Sequence, residues 1–192
     1  MNFKIEKLVS EWMENSVVDV ENKSDYYCRT KDVFEARLYK MKFFLESKKI
    51  LEKDIPIIIA VIGEIGNNSF DHNIGNWPSV VGIFFGFEIQ DDVLKIILSD
   101  RGLGVLKTLK RVRPELHNHK DALKVAFTEF VSSRAPERRG NGLKFVKSNI
   151  MTSNFLLKFR SGNALTTVNK IFKIEDNQEN LDGCLAIIKV NI

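Results

Sequence analysis

Glu64, Asn68 and His72 recur every four residues within Ile57 to Asn73, reading IIIAVIGEIGNNSFDHN. If this stretch is helical, a carboxylate, an amide and an imidazole stand in one file on one face. An acid and an amide one turn apart can hold a water or a metal between them. An ordinary polar stripe on an amphipathic helix has the same spacing, so the file alone does not decide. Two further groups follow in the chain. Asp100, Gly102 and Gly104 form D-x-G-x-G after an apolar run. A carboxylate at a strand end can accept hydrogen bonds from the amino group of a flat ligand, and bare glycine backbone lets that ligand lie close. A plain strand-ending turn is the simpler explanation of that motif taken singly. Arg138-Arg139-Gly140-Asn141-Gly142-Leu143 then sets a glycine loop at a helix start. Free N–H groups and the positive helix end favour phosphate there. It lacks the GKS or GKT of a P-loop.

The elements that must hold these residues can be read in order. Phe3 to Met13 reads as an amphipathic helix, followed by the polar connector NKSDYY. Phe34 to Leu51 reads as a helix with Phe34, Leu38, Met41 and Leu45 on one face. Asp54 and Pro56 mark the start of the next helix. Ile58, Val61, Ile62 and Ile65 give that helix an apolar face, and Gly63 and Gly66 in its interior make sense where something approaches its backbone closely. Val80 to Ile89 and Val93 to Leu98 read as an antiparallel hairpin turning at Gln90, Asp91 and Asp92. Both strands are apolar on both faces, which places them inside a sheet. Val105 to Arg139 shows a helical patch at Ala122 to Phe130 and little other core signal. A helix over Leu143 to Asn149 follows. Strands are expected at Phe155 to Arg160 and Ala164 to Ile171, with a turn at Ser161-Gly162-Asn163. Asp182-Gly183 leads into a closing strand, Leu185 to Ile192.

The chain has 192 residues, 44% apolar and 28% charged, and a net charge of +4. That is ordinary globular composition, sufficient for one sizeable core. Both charge signs are interspersed, so the basic excess alone does not argue for nucleic acid. Cys28 and Cys184 lie far apart without metal-ligand spacing, which fits free thiols in a reducing cytosol. His117 and His119 form H-x-H, two ligands where a metal site needs more. No leader and no span of ~18 apolar residues is read, and the expected location is cytoplasmic.

Taken together and in order, E-x-x-x-N-x-x-x-H on a helix, D-x-G-x-G after a strand, a variable segment and G-x-G-L opening a helix resemble the ATP-binding domain of the GHKL superfamily. That superfamily holds gyrase-type topoisomerases, heat-shock chaperones, histidine kinases and mismatch-repair ATPases. The match runs from about Ile57 to Asn191, and the file and compact size are most similar to anti-sigma-factor serine kinases and histidine-kinase ATPase domains. The resemblance implies an α+β Bergerat fold, a two-layer sandwich with helices on one face of a mixed sheet. It implies an ATP-binding domain over residues 31–192 with a helical extension at 1–30. Asn68 would bind Mg²⁺, whose preference for oxygen ligands and retained waters an amide satisfies. Glu64 would orient or deprotonate the attacking water or hydroxyl. Asp100 would recognise the adenine amino group, with Gly102 and Gly104 flanking the base. His72, Gly140, Asn141, Gly142 and Leu143 would complete the nucleotide site, and Val105 to Arg139 would be the ATP lid, offering Ser133, Arg134 and Arg139 to phosphate.

The absence of a histidine before His72 argues against a complete histidine kinase, and no transducer domain for gyrase or chaperone work is read. The expected function is ATP hydrolysis or phosphotransfer to a partner protein, a regulator or phosphoacceptor, with homodimerisation left open. A non-catalytic, ATP-gated interaction module shares every binding residue. A basic nucleic-acid-associated protein rests on charge alone.

Overall fold

In the computed structural model, residues 3–14, 25–48, 50–131 and 142–192 are described. Six helices and five strands are seen among them: α1 (Lys4–Glu14), β1 (Tyr27–Cys28), α2 (Lys31–Glu46), α3 (Asp54–Asn73), β2 (Ile83–Gln90), β3 (Val93–Asp100), α4 (Gly104–Leu109), α5 (His119–Thr128), α6 (Gly142–Thr152), β4 (Phe155–Val168) and β5 (Phe172–Asn191). The strands form one sheet in the order β1-β2-β3-β5-β4. All four pairings are antiparallel, which corrects the expected mixed sheet. For β2–β3 and β4–β5 the reason is local: both are direct hairpins, and short turns join only antiparallel neighbours.

The sequence pattern sets the two faces of the sheet. Leu94, Ile96 and Leu98 of β3 face the larger core, where Ile58, Val61, Ile62 and Ile65 of α3 meet Phe34, Met41 and Leu45 of α2 and Val146 and Ile150 of α6. The intervening Ile97 faces the other side, with Phe84 of β2. There α1 lies across the sheet, burying Phe3, Ile5, Val9 and Trp12. This is why β2 and β3 are apolar on both faces. The sandwich of helices on a sheet thus gains a single helix on its back, beyond the one-faced arrangement expected.

The β2–β3 turn is as read: Asp91 and Asp92 both adopt positive φ (50° and 58°), the geometry that lets two residues close a right-twisted hairpin. Gly66 is met by the Phe34 ring, where an added Cβ would sit 2.2 Å from Cζ. That is the close approach the mid-helix glycine foreshadows.

Three further expectations differ. Ser161-Gly162-Asn163 is not a turn. β4 runs straight through it with a register shift, and the hairpin turns at Asn169 to Ile171 instead. Glycine signals a bulge as readily as a turn. Here Gly162 (φ +59°) lies against the His119 ring on α5, which leaves no room for a Cβ. β5 is correspondingly one strand from Phe172 to Asn191, not a short closing strand. The segment after Gly104 is also more ordered than its composition suggests: Leu106, Leu109, Leu116, Ala122 and Val125 form a small core of their own. No helix of the described residues is long and apolar enough to cross a membrane.

Candidate functional site

The C-terminal half of α3, the end of β3 and the start of α6 converge on a cleft of about 790 Å³, its open mouth included. Asp100 ends β3 at the cleft wall and is 1% exposed. Its carboxylate accepts three hydrogen bonds. Ser69 Oγ donates to Oδ2 at 2.7 Å and Gly102 N donates to Oδ1 at 2.9 Å. The Cys184 backbone N–H supplies the third. Burial nonetheless outweighs these donors and raises the Asp100 pKa to about 6. The side chain is therefore a charge poised close to its protonated form, in the wall of a mainly apolar cleft.

Asn68 and His72 line the same cleft, as do Gly104, Gly142 and Leu143. Glu64 does not line it. It stands one turn back along α3, where it and Asn68 press on the first residue of α6. A Cβ on Gly142 would lie 2.7 Å from Asn68 Nδ2 and 2.8 Å from Glu64 Oε2. Glycine at that position is what lets the helix start seat against the carboxylate and amide. Gly102 also lies outside the cleft lining. It opens instead on a groove on the back of the turn, and its Cα packs against Asn73, whose Nδ2 a Cβ would approach to 2.2 Å. Gly104 (φ +72°) takes a left-handed conformation to start α4 beneath Ser161. Ser133, Arg134, Arg139, Gly140 and Asn141 lie outside the described residues.

Several cleft residues escaped the motif reading. Ser69 and Asn73 sit one position round α3 from the Glu64 file and form a second file with Ile65 at the same four-residue spacing. That repeat is the signal that could have found them. Asn73, 4% exposed, donates from Nδ2 to Ser69 O at 2.8 Å and accepts at Oδ1 from Leu103 N at 2.9 Å. It thereby ties the D-x-G-x-G turn to the helix. Ser161 accepts from Val105 N at 2.9 Å and donates to Gly183 O at 3.0 Å, anchoring the start of α4 to β5. Thr108, Leu109, Ala126 and Val131 also line the cleft, so the described part of the expected lid contributes to its wall. The Cys184 thiol lines it too. Its pKa is pushed well above the usual thiol range by desolvation and by the Asp100 carboxylate, which makes it a poor nucleophile. Both cysteines are free thiols.

The arrangement suits a flat, amino-bearing group at Asp100 and an anion toward the start of α6. α6 carries no acidic residue in its own first turn, and the carboxylate at its start is that of Glu64 from α3. The donor set also fits Mg²⁺: Asn68 offers one amide oxygen and Glu64 a nearby carboxylate, and Mg²⁺ takes few protein ligands and keeps its waters. An all-protein metal cage is a different matter: no group of three or more His, Cys, Asp or Glu suited to one exists among the described residues. His119 is half-buried against Gly162 and His117 is exposed, so H-x-H forms no pair of ligands. Compared with protein-family models and with curated proteins, the chain matches none.

Proposed function

We propose that this chain binds ATP with Mg²⁺ in the cleft and hydrolyses it or passes its terminal phosphate to a partner protein, in the manner of GHKL-type ATPase and kinase domains. The observation that carries the reading is the polarity of the cleft. A buried carboxylate ends one strand in its wall, and a glycine-started helix opens it to an anion where Glu64 and Asn68 converge. Asp100 accepts from the adenine amino group. Gly142 and the N–H groups of the first turn of α6 receive phosphate. Asn68 supplies the amide oxygen for Mg²⁺, which neutralises phosphate charge when bound. Glu64 orients or deprotonates the attacking water or hydroxyl.

An ATP-gated module without turnover draws support from one specific feature: Glu64 stands outside the cleft lining, beside Gly142. The two readings part on chemistry. ATP with Mg²⁺ is expected to raise the melting temperature, by an amount set by about 2.7 kcal/mol at a hundredfold excess over Kd. Asp100→Ala is expected to abolish that shift with the unliganded protein still folded; an unchanged shift sinks the nucleotide reading. Phosphate release, with and without candidate partners, then decides turnover. Glu64→Ala is expected to keep ATP affinity within a few-fold and to lower turnover by roughly 10²–10⁴. Turnover equal to wild type places the base elsewhere. Binding with no turnover in wild type favours the gated module.

A further inference from the structure

An ionised Asp100 offers a ligand acceptors alone, whereas protonation turns one of its oxygens into a donor, and burial works against the ionised state. A carboxylate offers about four acceptor positions. Ser69 Oγ, Gly102 N and the Cys184 N–H take three, leaving one for a ligand in the cleft. Of the three donors, two are backbone groups fixed by the β3 turn and the β3–β5 pairing. Ser69 is the only side chain among them. Its hydroxyl has one proton and two acceptors in reach, Asp100 Oδ2 at 2.7 Å and Ile65 O at 3.4 Å. The nearer, charged oxygen takes the proton, as charge-assisted bonds are shorter and stronger. Asn73 completes the support: it bonds both Ser69 O and Leu103 N, so helix and turn are tied on both sides of the carboxylate.

We propose that Ser69 is the positioning residue of the base-recognition carboxylate: its hydroxyl, bound to Asp100 Oδ2, keeps that carboxyl group ionised and aimed, so that a purine's exocyclic amino group meets an acceptor rather than a proton. The proposal rests on the nucleotide reading of the cleft. Other groups around Asp100 could shift its titration only by charge. From α3 that is His72, and from β5 the Cys184 thiol. The cleft residues of α4, α5, α6 and β4 are uncharged. On the back of the turn, Arg101, Lys107, Glu14 and Asp182 line a separate groove of mixed charge. None of these donates to the carboxylate as Ser69 does.

The test follows the Asp100 carboxyl resonance with pH in full-length, ¹³C-aspartate-labelled protein without nucleotide, for wild type, Ser69→Ala and Ser69→Thr. Losing a donor to the ionised form raises a carboxyl pKa, so Ser69→Ala is expected to move the midpoint up by about one unit, and Ser69→Thr to restore it. Adenosine, which has no phosphate to titrate, is the binding probe. For Ser69→Ala its affinity is expected to fall about fivefold at pH 6 and less than about twofold at pH 8.5, relative to wild type. An unmoved midpoint overturns the proposal, as does an affinity loss equal at both pH values, which is the mark of a merely structural defect. If wild type binds neither adenosine nor ATP, the nucleotide reading itself fails and the base-recognition role with it; the midpoint in the unliganded protein still reports whether Ser69 sustains the charge.

Discussion

Asp100 illustrates how a binding residue can work against the fold that holds it. Its folded-state pKa of about 6 lies above the ordinary value of 3.8, chiefly because burial penalises the charge. Between those two values the folded protein holds the proton more tightly than the unfolded chain. Stability therefore falls as pH rises through that window, and the full penalty is in place above pH 6. Asp100→Asn removes the buried charge, and its amide oxygen can still accept from Gly102 N. At pH 7.5 this variant is expected to be more stable than wild type by about 1–3 kcal/mol, a gap that closes toward pH 4. Urea unfolding at the two pH values reads it. The same variant offers an N–H where adenine needs an acceptor, so it is expected to lose the ATP-induced thermal shift. Higher stability with retained ATP binding contradicts the role assigned to Asp100.

Within α3, two glycines three residues apart make opposite predictions. Gly63 has only Leu38 Cδ2 near its missing Cβ, at 3.6 Å, an ordinary contact. Gly63→Ala is expected to stabilise the protein by up to about 1 kcal/mol, the helix-propensity difference. At Gly66 the Cβ would run into the Phe34 ring, itself fully buried, so Gly66→Ala is expected to destabilise by about 1–3 kcal/mol. Thermal unfolding of the two variants should shift in opposite directions. Both glycines look alike in the sequence; the difference is made by Phe34, which arrives from α2. The same holds for Ser161-Gly162-Asn163, where turn and bulge share a composition and His119 on α5 decides. What was legible came from local pattern: the two faces of α3, the β2–β3 hairpin with its paired aspartates, and three motifs of which Asn68, His72, Asp100, Gly104, Gly142 and Leu143 line one cleft. Ser69 and Asn73 were not, because their roles depend on where the β3 turn lands against α3. Nor does periodicity say that Glu64 would turn toward Gly142 and away from the cleft lining.

Across the whole molecule, the least anticipated feature is Lys95. It lies in mid-strand in VLKIIL and is 2% exposed. On the back of the sheet its ammonium meets Glu6 Oε1 of α1 at 2.6 Å and sits 3.7 Å from the centre of the Phe3 ring. Glu88, opposite Lys95 in the β2–β3 register, takes the Ile5 N–H at 3.2 Å, so it satisfies a free donor at the start of α1. At its other end, α1 reaches the residues on either side of Asp100: Ser99 Oγ lies 3.3 Å from Met13 Sδ, and Arg101 Nη1 donates to Trp12 O at 3.5 Å. The N-terminal helix therefore closes the back of the strand whose front wall is the cleft. The ion pair sets which changes this arrangement tolerates. Removing only Glu6 leaves a buried ammonium without its ion-pair partner, and breaking a buried pair costs about 3–5 kcal/mol. Glu6 is itself 39% exposed, so water can reach part of the gap, and Glu6→Ala is expected to cost about 1–3 kcal/mol. Replacing both partners with apolar residues, Glu6→Leu with Lys95→Met, leaves no orphaned charge and is expected to be neutral or stabilising. Urea midpoints of the single and double variants decide between an ion pair that specifies the docking of α1 and one that merely decorates it. If Glu6→Ala unfolds at the wild-type midpoint, the ion pair adds nothing measurable to the docking of α1.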